Sequence, residues 1–131
     1  MKKEEYLQGI IVTKEDKVVG PRIIATYPSS FMKADKSVAS YLWEKINRGL
    51  DIKIGSFLQT IDPFTGSIIL MYPFKILDEQ FAICLYFTNT APINEWIKEL
   101  EFFTQTVAGR MKQGLNFQKG IEELTKVICE K

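Results

Sequence analysis

Few residues in this chain could do chemistry. Cys84 and Cys129 are its two thiols. A thiol becomes a nucleophile when a neighbour lowers its pKa or a base takes its proton. Cys84 stands between Ile83 and Leu85 with no activating neighbour. The chain has no histidine. Ser-His-Asp and Cys-His catalysis are excluded in their ordinary forms, as are zinc sites built on imidazole. Two cysteines are too few for an all-thiolate site. Both lie far apart in apolar sequence and read as reduced core or near-core residues, not as a disulfide.

The carboxylates offer little more. Asp62, Asp78 and Glu79 fall in expected turns, where a pair could hold a metal or act as acid and base. No third ligand stands in register, so turn chemistry explains them. The stretch "VAGRMKQG", residues 107–114, has two glycines and two cations but lacks the spacing and the preceding strand of a phosphate loop. Lys112, Lys119 and Lys126 could form a basic strip towards anionic lipid, although exposed solubilising lysines serve as well. No catalytic, cofactor-binding or metal-binding set emerges, and the chain is read as not an enzyme.

The elements that carry these residues are clearer. With 131 residues, the chain reads as one domain over 1–131 and is long enough to bury a full core without staples. Net charge is +1, so the basic excess of a nucleic-acid binder is missing. No apolar run reaches the ~18 residues that span a bilayer. The start, "MKKEEYLQGI", lacks the apolar centre of a signal peptide. A cytoplasmic location is expected, with at most peripheral membrane association.

Residues 6–13, "YLQGIIVT", read as a β-branched first strand, and 14–17, "KEDK", as a charged turn. Residues 18–28, "VVGPRIIATYP", read as the return strand. Residues 36–49 follow as a helix, with Asp35 or Ser37 as cap and Gly49 at its end. Val38, Tyr41, Leu42 and Ile46 fall on one face of it. Three strands come next, at 52–61, 67–72 and 80–87, separated by "DPFTG" and by Pro73 with "KILDE". The last two are almost continuously apolar, as strands covered on both faces are. A long helix starts near 93, with Asn89 or Thr90 as cap and Pro92 in its first turn. Ile93, Trp96, Ile97, Leu100, Phe103, Val107 and Met111 make one stripe on it. Gly114 breaks it. A third helix, with Phe117, Ile121, Leu124 and Ile128 on one face, closes the chain. Gly120 weakens that helix by about 1 kcal/mol.

The order is β-β-α-β-β-β-α-α, an α/β (α+β) class. That order, with the opening "GIIVTKEDKVVGPRIIATYP", resembles the longin domain of the longin/roadblock (SNARE-like) superfamily. The resemblance implies a five-stranded antiparallel sheet of order 2-1-5-4-3, with one helix on one face and two on the other. It puts the second strand at the sheet edge, where prolines at each end are tolerated. It also implies a non-catalytic protein–protein interaction module, a scaffold or regulator in small-GTPase or vesicle-trafficking assemblies. The implied partners are itself, another longin/roadblock-type protein or a small GTPase, and no nucleic acid. The Lys/Ile-rich character suggests a stand-alone archaeal version.

Gly20, Pro21, Arg22, Trp43 and Arg48 are the candidate interaction surface. Arg22 is the only charge in its strand, and Trp43 sits at the side of the first helix's stripe. Phe102 lies off the stripe of the second helix, either partly exposed or covered by the third. Binding would use the edge strand or the flank of the first helix. A second reading is a PAS-like small-molecule sensor whose cavity is lined by Phe57, Phe74, Phe81, Tyr86 and Phe87. Ordinary core packing explains those rings more simply.

Overall fold

A computed structural model of the chain describes residues 3–31, 36–48, 53–54 and 57–130. Its strands are β1 (Leu7–Asp16), β2 (Gly20–Tyr27), β3 (Lys53–Ile54), β4 (Phe57–Ile61), β5 (Ile68–Ile76) and β6 (Glu79–Phe87). Its helices are α1 (Lys36–Arg48), α2 (Ile93–Lys112) and α3 (Phe117–Glu130). All strand pairs are antiparallel, in the spatial order β2-β1-β6-β5-β4-β3.

The five longer strands therefore take the expected order 2-1-5-4-3, and the fold is α+β. The difference lies at the far edge. The strand expected over 52–61 is split: Lys53–Ile54 turns back on β4, pairing Lys53 with Leu58 and Ile54 with Phe57. Ile52, Gly55 and Ser56 lie outside the described residues, as do Asp35 and Gly49 at the expected ends of α1.

Two apolar layers flank the sheet because β-strand side chains alternate between its faces. On one face, Ile11, Ile69, Met71, Cys84 and Tyr86 meet Leu42 and Trp43 of α1. On the other, Ile10, Val12, Leu70, Ile83, Leu85 and Phe87 meet Trp96, Leu100 and Val107 of α2 and Ile121, Leu124 and Ile128 of α3. One helix thus covers one face and two the other. In β6 every residue from Phe81 to Phe87 is buried, because the strand lies between β1 and β5 with helices above and below.

Pro73 does not end β5; it pairs with Ala82 inside it. Among the described residues β4 pairs with β5 only from Ile68 to Met71, so Pro73 sits where the strand is paired on one side. Pro92 is the residue just before α2, and among the described residues no side chain caps that helix, so neither Asn89 nor Thr90 takes the expected role. The end of α2 is as expected. Gly114 takes φ +107, its N–H bonds to Met111 O and that of Leu115 to Arg110 O, the paired bonds of a Schellman turn. Asn116 starts α3, its Oδ1 accepting the Lys119 N–H at 3.1 Å. Gly120 is buried against α2: a Cβ there would stand 2.5 Å from Met111 Cε. Its helix penalty is exchanged for close helix–helix approach.

Candidate interaction surface

The β1–β2 connection is built by Asp16. Its Oδ1 accepts the N–H groups of Val18 (2.8 Å) and Val19 (3.1 Å), which closes a local turn. Gly20 completes it at φ +86, a conformation free of steric cost only for glycine. The two backbone donors hold the Asp16 carboxyl below its usual range, with Lys14 and Arg22 adding to the effect. The cost of this turn is exposure: Val18 is 92% exposed, and Val19 is exposed beside it. Both were expected in the strand. They are in the turn because Asp16 captures their amides before a ladder can.

The β5–β6 turn lies next to it. Glu15 pairs with Gln80 and Ile76 with Glu79, so both turns project from the same end of the sheet. Leu77 occupies this second turn at φ +56 and is 93% exposed. A branched apolar side chain in left-handed backbone is a strained choice, and here it has no burial to offset it. Lys14 ties the two turns together. Its Nζ is 3.1 Å from Glu79 Oε1 and 3.7 Å from Asp16 Oδ2, above the Phe81 ring. Arg22 Nη2 lies 3.8 Å from Asp16 Oδ2. Val18 and Val19 on one turn and Leu77 on the other are thus exposed at the same end of the sheet, among charges of both signs. A groove between the turns is walled by Lys14, Lys17, Val18 and Asp78.

The fold gathers Gly20, Pro21 and Arg22 at this end, with Arg22 exposed. Arg48 ends α1, exposed and paired with Glu44 at 2.9 Å. Its neighbour Asn47 donates to Glu15 Oε2 at 2.8 Å, which fastens the end of α1 to the same hairpin. Trp43 does not belong to the surface. It is 1% exposed, and its indole N–H donates to Thr13 Oγ1 at 3.1 Å. The Thr13 hydroxyl in turn donates to the Arg22 carbonyl at 2.7 Å. Trp43 faces the sheet because it needs both apolar cover and a partner for its N–H. It supports the hairpin from beneath.

The β2 edge is poorly suited to adding a strand. Pro21 has no N–H to offer, the register slips opposite Val12 and Thr13, and Gln118 Nε2 of α3 already occupies the Thr26 carbonyl at 2.8 Å. Trp96 is buried, Phe103 half-buried and Phe102 exposed, so α3 does not cover Phe102. Lys112, Lys119 and Lys126 are all exposed, and Lys126 shares a groove with Glu4, Glu122 and Glu130.

The residues weighed for chemistry remain apart. Asp62 is in the β4–β5 turn, at the opposite end of the sheet from Asp78 and Glu79. Among the described residues no cluster of three acidic or thiol side chains could hold a metal. Cys84 and Cys129 are both free. Burial pushes the Cys84 thiol far above its usual range; burial and then Glu4 raise Cys129. Such thiols are poor nucleophiles. The five rings considered for a cavity are buried. They pack on aromatic neighbours, with Phe74 stacked on Phe81 at 5.8 Å, Phe57 edge-on to Tyr72, Phe87 against Trp96 and Tyr86 against Phe31. Among the described residues no helix is long and apolar enough to cross a membrane.

No family model, curated protein or solved structure matches the chain.

Proposed function

We propose that this chain is a non-catalytic interaction module of longin-like kind. It docks another protein through the end of the sheet formed by the β1–β2 and β5–β6 turns. The observation that carries this reading is Leu77, exposed at positive φ at the same end of the sheet as exposed Val18. Strain and exposed apolar surface are each costly, and both persist where a binding surface requires them. An apolar centre inside a rim of mixed charge has the anatomy of a protein interface. The longin likeness suggests the class of partner: a small GTPase or a related longin/roadblock chain, in a cytoplasmic trafficking-type assembly.

The test is retention of small GTPases, loaded with GDP or GTP, and of longin/roadblock-type chains on the immobilised protein. The wild type should retain one of these classes. A Val18→Ser/Leu77→Ser double variant, with an unchanged thermal midpoint, should lose it. Equal retention by both proteins refutes the assignment of this surface.

A further inference from the structure

The end of the sheet that carries the β1–β2 and β5–β6 turns has an ordered charge pattern. Its inner charges are taken up by one another. Lys14 Nζ lies 3.1 Å from Glu79 Oε1 and 3.7 Å from Asp16 Oδ2, and Arg22 Nη2 approaches that same Asp16 oxygen at 3.8 Å. Two cations and two carboxylates cancel there, and Glu15 accepts from Asn47. Two charges are left over. Lys17 on the β1–β2 turn and Asp78 on the β5–β6 turn are exposed, and among the described residues neither has an ion-pair partner. Both line the groove between the turns, one from each turn. Val18 follows Lys17 and Leu77 precedes Asp78, so each turn sets one free charge next to one exposed apolar side chain.

This pattern decides what fits it. An anionic membrane or a nucleic acid would be repelled by Asp78 as strongly as it is drawn by Lys17. The matching surface has the inverted order, with a carboxylate opposite Lys17, a cation opposite Asp78 and apolar side chains beside them. A second copy of this chain supplies that surface by symmetry. β1 and β6 are neighbours in the middle of this end, since Glu15 pairs with Gln80. A two-fold axis running along the strands between them exchanges the two turns. Lys17 then meets the partner's Asp78, Asp78 meets the partner's Lys17, and Val18 faces the partner's Leu77. The charges nearest the axis are Lys14, Asp16 and Glu79, which already neutralise one another with Arg22. No unpaired charge is brought against its own kind.

We propose that the docking end closes on a second copy of this chain, end to end about a two-fold axis, with Lys17 and Asp78 forming two reciprocal ion pairs. The proposal rests on the reading of that end as a docking surface and names its occupant. Two turns from each copy make a contact smaller than a standard stable interface, so the dimer is weak and forms as concentration rises.

Sedimentation equilibrium of the wild type and of charge-reversed variants tests it. The wild-type weight-average mass should rise with concentration from 15.1 kDa towards twice that value, and less steeply in high salt. Lys17→Glu sets a carboxylate opposite the partner's Asp78 twice in each dimer, and Asp78→Lys sets two cations opposite each other in the same way. Each variant should associate about tenfold more weakly, a few-fold for each exposed pair reversed. An equimolar mixture of the two variants should recover wild-type association, because both reciprocal pairs are then of opposite sign. The Lys17→Glu/Asp78→Lys double variant should recover it too. All of these should keep the wild-type thermal midpoint, since both positions are exposed. Phe64→Ser is the control. That ring is 94% exposed at the opposite end of the sheet, where both carboxylate oxygens of Asp62 hold its turn, and its loss should leave association unchanged. A wild type fixed at 15.1 kDa, single variants that associate like the wild type, or a mixture that stays monomeric would each overturn the proposal. A monomeric wild type that still loses retention of another protein in Val18→Ser/Leu77→Ser would keep the docking end and overturn only the second copy.

Discussion

Replacing Thr13 by Val should destabilise the protein more than the loss of one hydroxyl suggests, and that loss should overlap with the one caused by removing the Trp43 indole, so that the two together cost less than their sum. The hydroxyl of Thr13 is the middle of a buried chain, from Trp43 Nε1 through Thr13 Oγ1 to the Arg22 carbonyl. Thr13→Val leaves the indole N–H with no partner at a site where Trp43 is 1% exposed. An orphaned buried donor costs about 1–3 kcal/mol. Trp43→Phe removes that donor but leaves a void, at a cost of about 2–3 kcal/mol by analogy with large-to-small core changes. In the double variant no orphan N–H exists. Its destabilisation should therefore fall short of the sum of the singles by about 1–3 kcal/mol. Urea unfolding followed by far-UV circular dichroism measures this, because that signal does not depend on Trp43. With a slope of about 1–3 kcal/mol/M, Thr13→Val should move the midpoint by about 1 M. Additivity within about 0.5 kcal/mol would refute the reasoning, since the indole would then draw nothing from Thr13.

Three further outcomes are expected. Thr104 is fully buried on α2, and among the described residues its hydroxyl has no hydrogen-bond partner; Thr104→Val should raise stability by about 1 kcal/mol, read as a higher thermal midpoint. Leu77→Gly should relieve the positive-φ strain and stabilise the fold by about 1 kcal/mol while weakening partner retention, so that calorimetry and binding move in opposite directions. The Asp16 carboxyl has its folded pKa lowered below the ordinary aspartate value of 3.8. Its support for the turn is therefore complete above the ordinary carboxylate range and is lost as pH falls through the lower folded value. The amide resonances of Val18 and Val19, followed by NMR during acidification, should hold until below pH 3.8; a midpoint at or above that value would contradict the hydrogen bonds assigned to Asp16.

Long-period patterns were legible in the sequence; positions decided by one or two hydrogen bonds were not. The apolar run of β6 announced a strand covered on both faces, and the stripe from Ile93 to Met111 announced the buried side of α2. Gly20-Pro21 and Tyr27-Pro28 marked an edge. The docking end was only half visible. Val18 and Val19 have strong strand propensity, and only the Asp16 carboxylate two and three residues earlier moves them into a turn. An Asp followed shortly by Gly was the available signal. Leu77 gave none, because nothing in its type predicts a positive φ. Trp43 could not be assigned to surface or core until Thr13, thirty positions away, was seen to accept its N–H. Phe64 sat in a stretch already recognised as a turn, and its exposure follows from how Asp62 holds the loop.

The place of β1 between β2 and β6 shapes how the chain folds. The β1–β2 and β5–β6 hairpins are local and can form early. The ladder that joins them pairs Leu7 with Phe87 and Glu15 with Gln80, partners separated by about half of the chain or more. Loop closure on that scale must precede any gain from the contact, which places folding in the slower range for domains of this size. On a ribosome the first strand would wait, its apolar residues Ile10, Ile11 and Val12 uncovered, until β6 emerged. A chain cut before Glu79 would therefore have no central ladder on which to build either layer of its core.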